Sequence, residues 1–314
     1  MSRILTICVP TYNRAAELDH QLAWVAKEVR GLGDAVEVIV SDNASSDDTA
    51  AVVQRWSTEF DDVPFASQRH PENLGWMRNF HSCYERAAGR YCWVIGDDDT
   101  VYDGSVRFVL DTLRADPELT LFYLNFLGRA ADTGEVIGDH WFDPAVSEWA
   151  RSDGLHIYQH SIERHFGSVI FVTSAVIRTD LALEGIAQWP ACLDNWGGMA
   201  YWCAHAALQG HVYVTPENFV ECLLGQSYWQ KDPLAWFRIR HRDIPDVYRH
   251  MRGIGYERGF CARKILKILQ EDVASKDAGR NLKDYWRALR ERPLWTLGVL
   301  GSYFGSLARV LVSR

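Results

Sequence analysis

The sequence predicts an α/β domain with a mostly parallel sheet flanked by helices, followed by a basic helical C-terminal region. Three observations predict it. Over residues 1–115, short β-rich apolar runs alternate with stretches of helical periodicity, the pattern of a parallel sheet with helices on its faces. Polar clusters fall directly after the first, second and fourth apolar runs, positions that share the carboxyl edge of an open α/β sheet, where ligands bind. The charge also divides: residues 226–314 hold 18 Lys and Arg against 9 Asp and Glu, net +9, while residues 1–225 hold 15 against 32, net −17. The expected organisation is a body over 1–225, divisible near 115, and a tail over 226–314.

The elements follow in order. Residues 3–9 are apolar and β-rich and stop at Pro10, as a buried strand does. A helix over about 15–30 places Leu18, Leu22, Val25 and Val29 on one face and ends at Gly31 and Gly33. Val36 to Val40 reads as a second strand, and the polar run after it offers Ser46 or Asp47 to cap a helix carrying Val52, Val53 and Trp56. Residues 65–68 predict a short third strand, 76–88 a helix ended by Gly89, and 91–95 a fourth strand. That strand runs into Gly96-Asp97-Asp98-Asp99, after which Asp103 or Ser105 opens a helix through Val106, Val109, Leu110 and Leu113. Residues 119–127, 168–177 and 212–214 read as further strands, with helical segments around Trp149 and over 196–208. From about 226 the pattern is helical and basic.

Bulk properties narrow the class. Apolar residues make up 47% and charged residues 24%, which excludes a disordered or collagenous chain. The seven cysteines show no Cys-x-x-Cys spacing, so buried thiols in a reducing cytosol are expected rather than zinc ligands or disulfides. The first residues enter a strand pattern without an apolar leader, and no run reaches the roughly 18 uninterrupted apolar residues of a membrane span. A cytoplasmic location is expected. The acidic body and the lack of a recognition motif argue against nucleic acid as a partner.

The sharpest local signal is Asp97-Asp98-Asp99 after a buried strand. Carboxylates there can hold Mn²⁺ or Mg²⁺, which prefers hard oxygen ligands and bridges diphosphate. The competing reading is a solvated acidic turn. In Pro10-Thr11-Tyr12-Asn13-Arg14, Tyr12 can stack on a base and Arg14 can meet phosphate; a plain turn is the alternative. Asp42 could accept a hydrogen bond from a pyrimidine N–H, or cap the helix that follows.

Four segments, ICVPTYNRAAEL, VEVIVSDNASSDDT, ENLGWMRNF and GRYCWVIGDDD, occur in the order and spacing of glycosyltransferase family 2. The first 110 residues or so resemble that family, in particular bacterial transferases of surface-polysaccharide assembly, including the abequosyltransferase-like branch with its Gly-Asp-Asp-Asp turn. The resemblance implies a GT-A fold over 1–225, with a nucleotide-sugar-binding half (1–115) and an acceptor-binding half (116–225). It also implies a nucleotide-sugar donor, Mn²⁺ or Mg²⁺, and a glycan or lipid-linked saccharide acceptor. Carried over by position, Pro10, Tyr12 and Arg14 line the nucleotide pocket, and Asp42 contacts the base. Asn73, Gly75, Arg78 and Asn79 lie near the donor, and Asp98 and Asp99 serve ribose and metal with Asp97 close by. Gly96 and Asn43 depart from the family, where acidic residues are common.

Family members mostly invert the anomeric centre by direct displacement, which needs a general base. Asp194, in WPACLDNWGGMAYW, is the best-placed carboxylate, ahead of Asp180 and Glu184. Beside Trp196 it is expected to be partly desolvated and so more basic; capping a helix from Trp196 is the other reading. His241 is a candidate extra metal ligand, or a structural histidine. Gly225 to Trp229 lacks the arginine of processive members, so processive synthesis is not expected. In the tail, basic residues alternate with apolar ones over 261–270 and 280–292, and residues 293–308 carry no charge. This pattern predicts amphipathic helices peripheral to the inner face of an anionic cytoplasmic membrane; a lid or a homo-oligomer contact fits it as well. A non-catalytic nucleotide-sugar or glycan-binding module is the alternative function. A nucleotidyltransferase is disfavoured because no glycine-rich loop follows the first strand.

Overall fold

A computed structural model describes residues 3–60, 62–225, 232–274 and 278–312. The body is built from β1 (Leu5–Thr11), α1 (Ala15–Val29), β2 (Val36–Asp42), α2 (Thr49–Trp56), β3 (Phe65–Arg69), α3 (Trp76–Arg86) and β4 (Tyr91–Val94). Next come β5 (Thr100–Val101), α4 (Ser105–Ala115), β6 (Leu119–Ala130), β7 (Val136–Gly138), α5 (Gly154–Arg164) and β8 (Ala175–Arg178). The body closes with α6 (Thr179–Gln188), α7 (Gly198–Ala207) and β9 (His211–Leu224). The tail holds α8 (Pro233–Arg238), a π-turn (Ile239–Asp243), α9 (Ile244–Gly253), α10 (Arg258–Ala274), α11 (Ala278–Glu291) and α12 (Pro293–Val312).

Among the described residues the strands form one sheet in the order β3-β2-β1-β4-β8-β6-β9-β5, with β7 beside β6. β1 to β4 are parallel, as the alternating pattern requires; β8 is inserted antiparallel between β4 and β6, and β9 runs parallel to β6. The central strands of the first half are covered on both faces: every residue of β2 is buried, while the edge strand β3 is partly exposed. Leu18, Leu22, Val25 and Val29 of α1 are fully buried, as their spacing predicts.

The body departs from expectation in three places. Residues 168–174 form two 3₁₀ turns, and only Ala175–Arg178 is a strand. The short strand expected at 212–214 is instead part of the fourteen-residue β9. Neither Asp103 nor Ser105 caps α4; Glu28 of α1 does so, accepting the Gly104 N–H at 2.9 Å, while Asp103 pairs with Lys27. None of these partners is adjacent in sequence, so local propensity carries no sign of them. The body-to-tail boundary and residues 226–229 of the segment compared with processive enzymes lie outside the described residues. All seven cysteines are free thiols, six of them buried.

Candidate functional site

Strand register lines up the first row of the site. Thr11 sits opposite Asp42, and Asp42 opposite Arg69, at the ends of three parallel strands. β4 pairs only as far as Cys8, so residues 95–99 leave the sheet beside this row. Thr11 Oγ1 donates to Asp97 at 2.7 Å, and Arg14 donates to Asp97 at 3.2 Å while also pairing with Asp98. Asp99 turns the other way and accepts from Thr173 Oγ1. The same threonine oxygen accepts the Gly96 N–H at 2.9 Å. The antiparallel run of β8 makes this possible, because its entry lies at the exit of β4.

Gly96 now has a physical reason. A Cβ there would lie 2.5 Å from the Asp99 carboxylate, so the glycine lets Asp99 fold back over it. Burial pushes Asp97 up to about 6, against the Thr11 hydrogen bond and the Arg14 charge. Burial, then the charges of Asp98 and Asp97, pushes Asp99 up to about 7, against the Thr173 hydrogen bond. Three hard carboxylates, two of them raised in this way, are a donor set that suits Mn²⁺ or Mg²⁺, since a cation relieves the repulsion. Among the described residues no three His, Cys, Asp or Glu side chains yet converge as a coordination shell.

These shifts carry a stability prediction. Folded Asp97 and Asp99 keep protons that the unfolded chain has released, so their stabilisation is present below about pH 4 and lost as pH rises through about 6 to 7. Metal-free protein is expected to lose melting temperature between about pH 4 and 7 and to level off above, with a flatter profile in Asp99→Asn. A slope unchanged in the variant would contradict the assignment.

The loops after β1 and β2 are stitched together. Asn13 and Ala44 have positive φ, at 53° and 67°, costly for residues with a Cβ. Asn13 N–H donates to Ser45 Oγ at 2.8 Å and its Oδ1 accepts the Ser46 N–H at 2.7 Å; the Ala15 N–H reaches Asp47 at 3.0 Å. Tyr12 stays exposed with its ring free to stack, and Pro10 lies half-buried in β1. Asp42 is buried, accepts the Ser45 N–H at 2.8 Å and lies 3.6 Å from Arg69. Arg69 thus fronts this side, in a 280 Å³ cleft lined also by Asp42, Val53, Gln54 and Ser57.

Asn43 explains the second departure. Its Nδ2 donates to Asn73 Oδ1 at 3.0 Å while its Oδ1 accepts the Leu74 N–H at 2.8 Å. An aspartate could not make the first bond. Asn73 also accepts the Gly75 N–H at 2.8 Å, so the segment entering α3 hangs from the loop after β2. Asn79 is buried on α3, bonded to Ser41 from behind.

From the first turn of α3, Arg78 reaches Asp194 Oδ1 at 2.8 Å. Asp194 ends a 3₁₀ turn (Pro190–Asp194), and α7 starts only at Gly198, so Asp194 is not a helix cap. Its side chain is 66% exposed, so the expected desolvation beside Trp196 is absent; Arg78 is its partner instead. The pair lies in a 190 Å³ cleft with Gly75, Trp76, Trp196 and Arg238. Gly198 fits tightly here: a Cβ would lie 2.0 Å from the Cys192 carbonyl oxygen. Gly198→Ala is expected to destabilise by about 1–3 kcal/mol, read as a lower midpoint in thermal melts. An unshifted melt would show that the turn is not held this way.

His241 is a correction. It is buried in the tail with both ring nitrogens taken: Nδ1 is 2.8 Å from the Phe237 carbonyl oxygen, and Nε2 is 2.8 Å from Asp272 and 2.7 Å from the Tyr285 hydroxyl. It has no nitrogen left for a metal and is not brought to Asp97–Asp99. Sequence reasoning missed Thr173, Arg69, Arg238 and Asp243. Thr11 lay inside a quoted segment; the others had no local signal.

An α/β sheet of this order, with its polar loops at one edge, is the architecture of the GT-A fold. The crystal structure of S. aureus TarS in complex with UDP-GlcNAc superposes with a TM-score of 0.68 at 14% identity, covering 98% of this chain and 82% of that one. Residues 6–151 match the model of glycosyl transferase family 2. Abequosyltransferase RfbV of Salmonella typhimurium is 28% identical over 162 residues, 51% of this chain and 46% of that protein. The GalNAc(5)-diNAcBac-PP-undecaprenol beta-1,3-glucosyltransferase of Campylobacter jejuni is 31% identical over 107 residues, 34% of this chain and 33% of that protein. The chain matches less than half the length of either relative.

Proposed function

We propose that this protein is an inverting glycosyltransferase that moves a sugar from a nucleotide-sugar donor to a hydroxyl of a glycan or lipid-linked saccharide in bacterial surface-polysaccharide assembly. One observation carries the reading. The Arg78–Asp194 pair joins a carboxylate to the segment holding Asn73 and Gly75, which is itself bonded to the loop after β2. This supports reading Asp194 as a base set beside the donor-side segment.

In this reading Tyr12 stacks on the base, Arg69 and Asp42 border it, and Arg14 meets the diphosphate. Asp98 and Asp99 would hold Mn²⁺ or Mg²⁺, which when bound neutralises charge on the departing nucleoside diphosphate. Asp194 takes the proton of the acceptor hydroxyl as its oxygen bonds to the anomeric carbon; the bond from that carbon to the diphosphate oxygen breaks on the opposite face. The direct test is a thermal-shift screen of UDP-, GDP-, CDP- and dTDP-sugars with and without Mn²⁺, followed by product analysis. A Mn²⁺-dependent rise for one class and a product of opposite anomeric configuration are expected. Retention of configuration would remove Asp194 as a direct base.

The partner reading extends to an anionic membrane at the inner face of the cytoplasmic membrane. α12 is long and apolar enough to cross a membrane by composition, yet it buries Thr296, Val299, Tyr303 and Val310 against the protein. Its outer side exposes Leu294, Leu297, Phe304 and Leu311, and the preceding α11 exposes the basic Arg287 and Arg290. That combination fits a helix lying in the headgroup layer. Phe304→Glu with Leu297→Glu is expected to abolish flotation with anionic liposomes while nucleotide binding persists. Flotation that survives both changes would rule this face out.

A further inference from the structure

The π-turn between α8 and α9 touches the candidate catalytic turn on one side and the C-terminal helices on the other. Asp243, 2% exposed, closes the first side. Its carboxylate accepts the Trp196 N–H at 3.3 Å and Arg238 Nε at 3.2 Å. Its carbonyl accepts Asn195 Nδ2 at 2.9 Å. Asn195 in turn accepts the Gly197 N–H at 2.9 Å, so the residues following Asp194 are fixed to one another and, through Asp243, to the tail. Arg238 lines the same cleft as Asp194, so a single buried carboxylate sets two of the cleft's charged groups.

The other side of the turn is equally anchored. His241 meets Asp272 of α10 and Tyr285 of α11, and Arg240 pairs with Asp272 at 2.7 Å. Burial alone would raise the Asp272 carboxyl; His241 and Arg240 more than offset this and hold it below the usual carboxylate range. A π-turn carries one residue more than an α-turn, and such bulges recur at functional sites. Here it presents residues 240 and 241 to the helices and 243 to Arg238 and the backbone that follows Asp194.

We propose that Asp243 is a positioning residue: it holds the Asn195–Trp196 backbone, and with it the Asp194 carboxylate and the Arg238 guanidinium, at the geometry that transfer requires. The tail is then a brace for the reaction centre as well as a surface. The inference rests on the reading of Asp194 as the base.

The test uses the full chain and follows Mn²⁺-dependent hydrolysis of the nucleotide sugar selected by the thermal screen, with water as the acceptor. Asp243→Ala is expected to lower kcat by about 10- to 100-fold, the scale of a misplaced reacting group, while the Kd for the nucleoside diphosphate stays within about twofold. Asp243→Asn keeps an oxygen for the Trp196 N–H and should fall between native and Ala. On an Asp194→Asn background, Asp243→Ala should cost nothing further, because it acts through the missing base. Native kcat in Asp243→Ala with an inactive Asp194→Asn would overturn the inference and leave the base reading intact. Full activity in Asp194→Asn would overturn both. Costs that multiply in the double variant, or a parallel loss of nucleotide affinity, would show a general structural role instead. If Asp243→Ala does not fold, Asp243→Asn decides: unchanged kcat refutes the proposal.

Discussion

Asp194→Asn is expected to cut sugar transfer by roughly 10²- to 10⁴-fold, the range a positioned general base contributes, with little change in nucleotide affinity. The amide has the shape of the carboxylate and keeps an oxygen for Arg78, but it cannot accept the acceptor's proton. Because the side chain is largely exposed, stability should move by no more than about 0.5 kcal/mol, so lost activity cannot be blamed on unfolding. The measurement is kcat and donor KM side by side. A fall in kcat at constant KM locates the loss in the transition state. The competing role for Asp194 is to anchor Arg78. If so, Asn would retain most activity and Arg78→Ala would be the damaging change.

Asp99→Ala is expected to abolish the Mn²⁺-dependent part of donor binding while the metal-independent part survives. Calorimetric titration with the nucleoside diphosphate, with and without Mn²⁺, reads this directly. Asp99 adds a pH dependence. Its carboxyl is pushed up to about 7, and a metal competes with that proton. Mn²⁺-dependent affinity of the native protein should therefore rise between about pH 6 and 8. Affinity that is flat over this range, or unchanged in Asp99→Ala, would leave Asp98 and Asp97 as the only candidate ligands.

The parts that were legible in the sequence are those whose cause is local. Complete burial of β2 follows from a parallel strand covered on both faces, and the α1 stripe follows from helical spacing. The Gly96–Asp99 turn follows from a β-run meeting three carboxylates. What could not be read depends on partners remote in sequence. Thr173 reaches Asp99 only because β8 enters the sheet backwards, and no pattern within residues 168–177 announces that. His241 looked available because a histidine beside Arg242 and Asp243 says nothing about Asp272 and Tyr285, which take its second nitrogen. Asp194 was expected to be partly desolvated beside Trp196, but its turn directs it to Arg78 and solvent.

Inserting β8 between β4 and β6 has a consequence for how the chain is made. As synthesis proceeds, the parallel quartet is complete by residue 94, yet the flank of β4 stays open until residues 175–178 arrive. A fragment ending near 115 would therefore present an open edge on β4, Tyr-Cys-Trp-Val, paired with β1 on one side and with no ladder partner on the other. Such a fragment should aggregate rather than bind nucleotide, and the nascent chain passes through the same state. The half that carries most of the recognisable sequence is thus the half least able to stand alone.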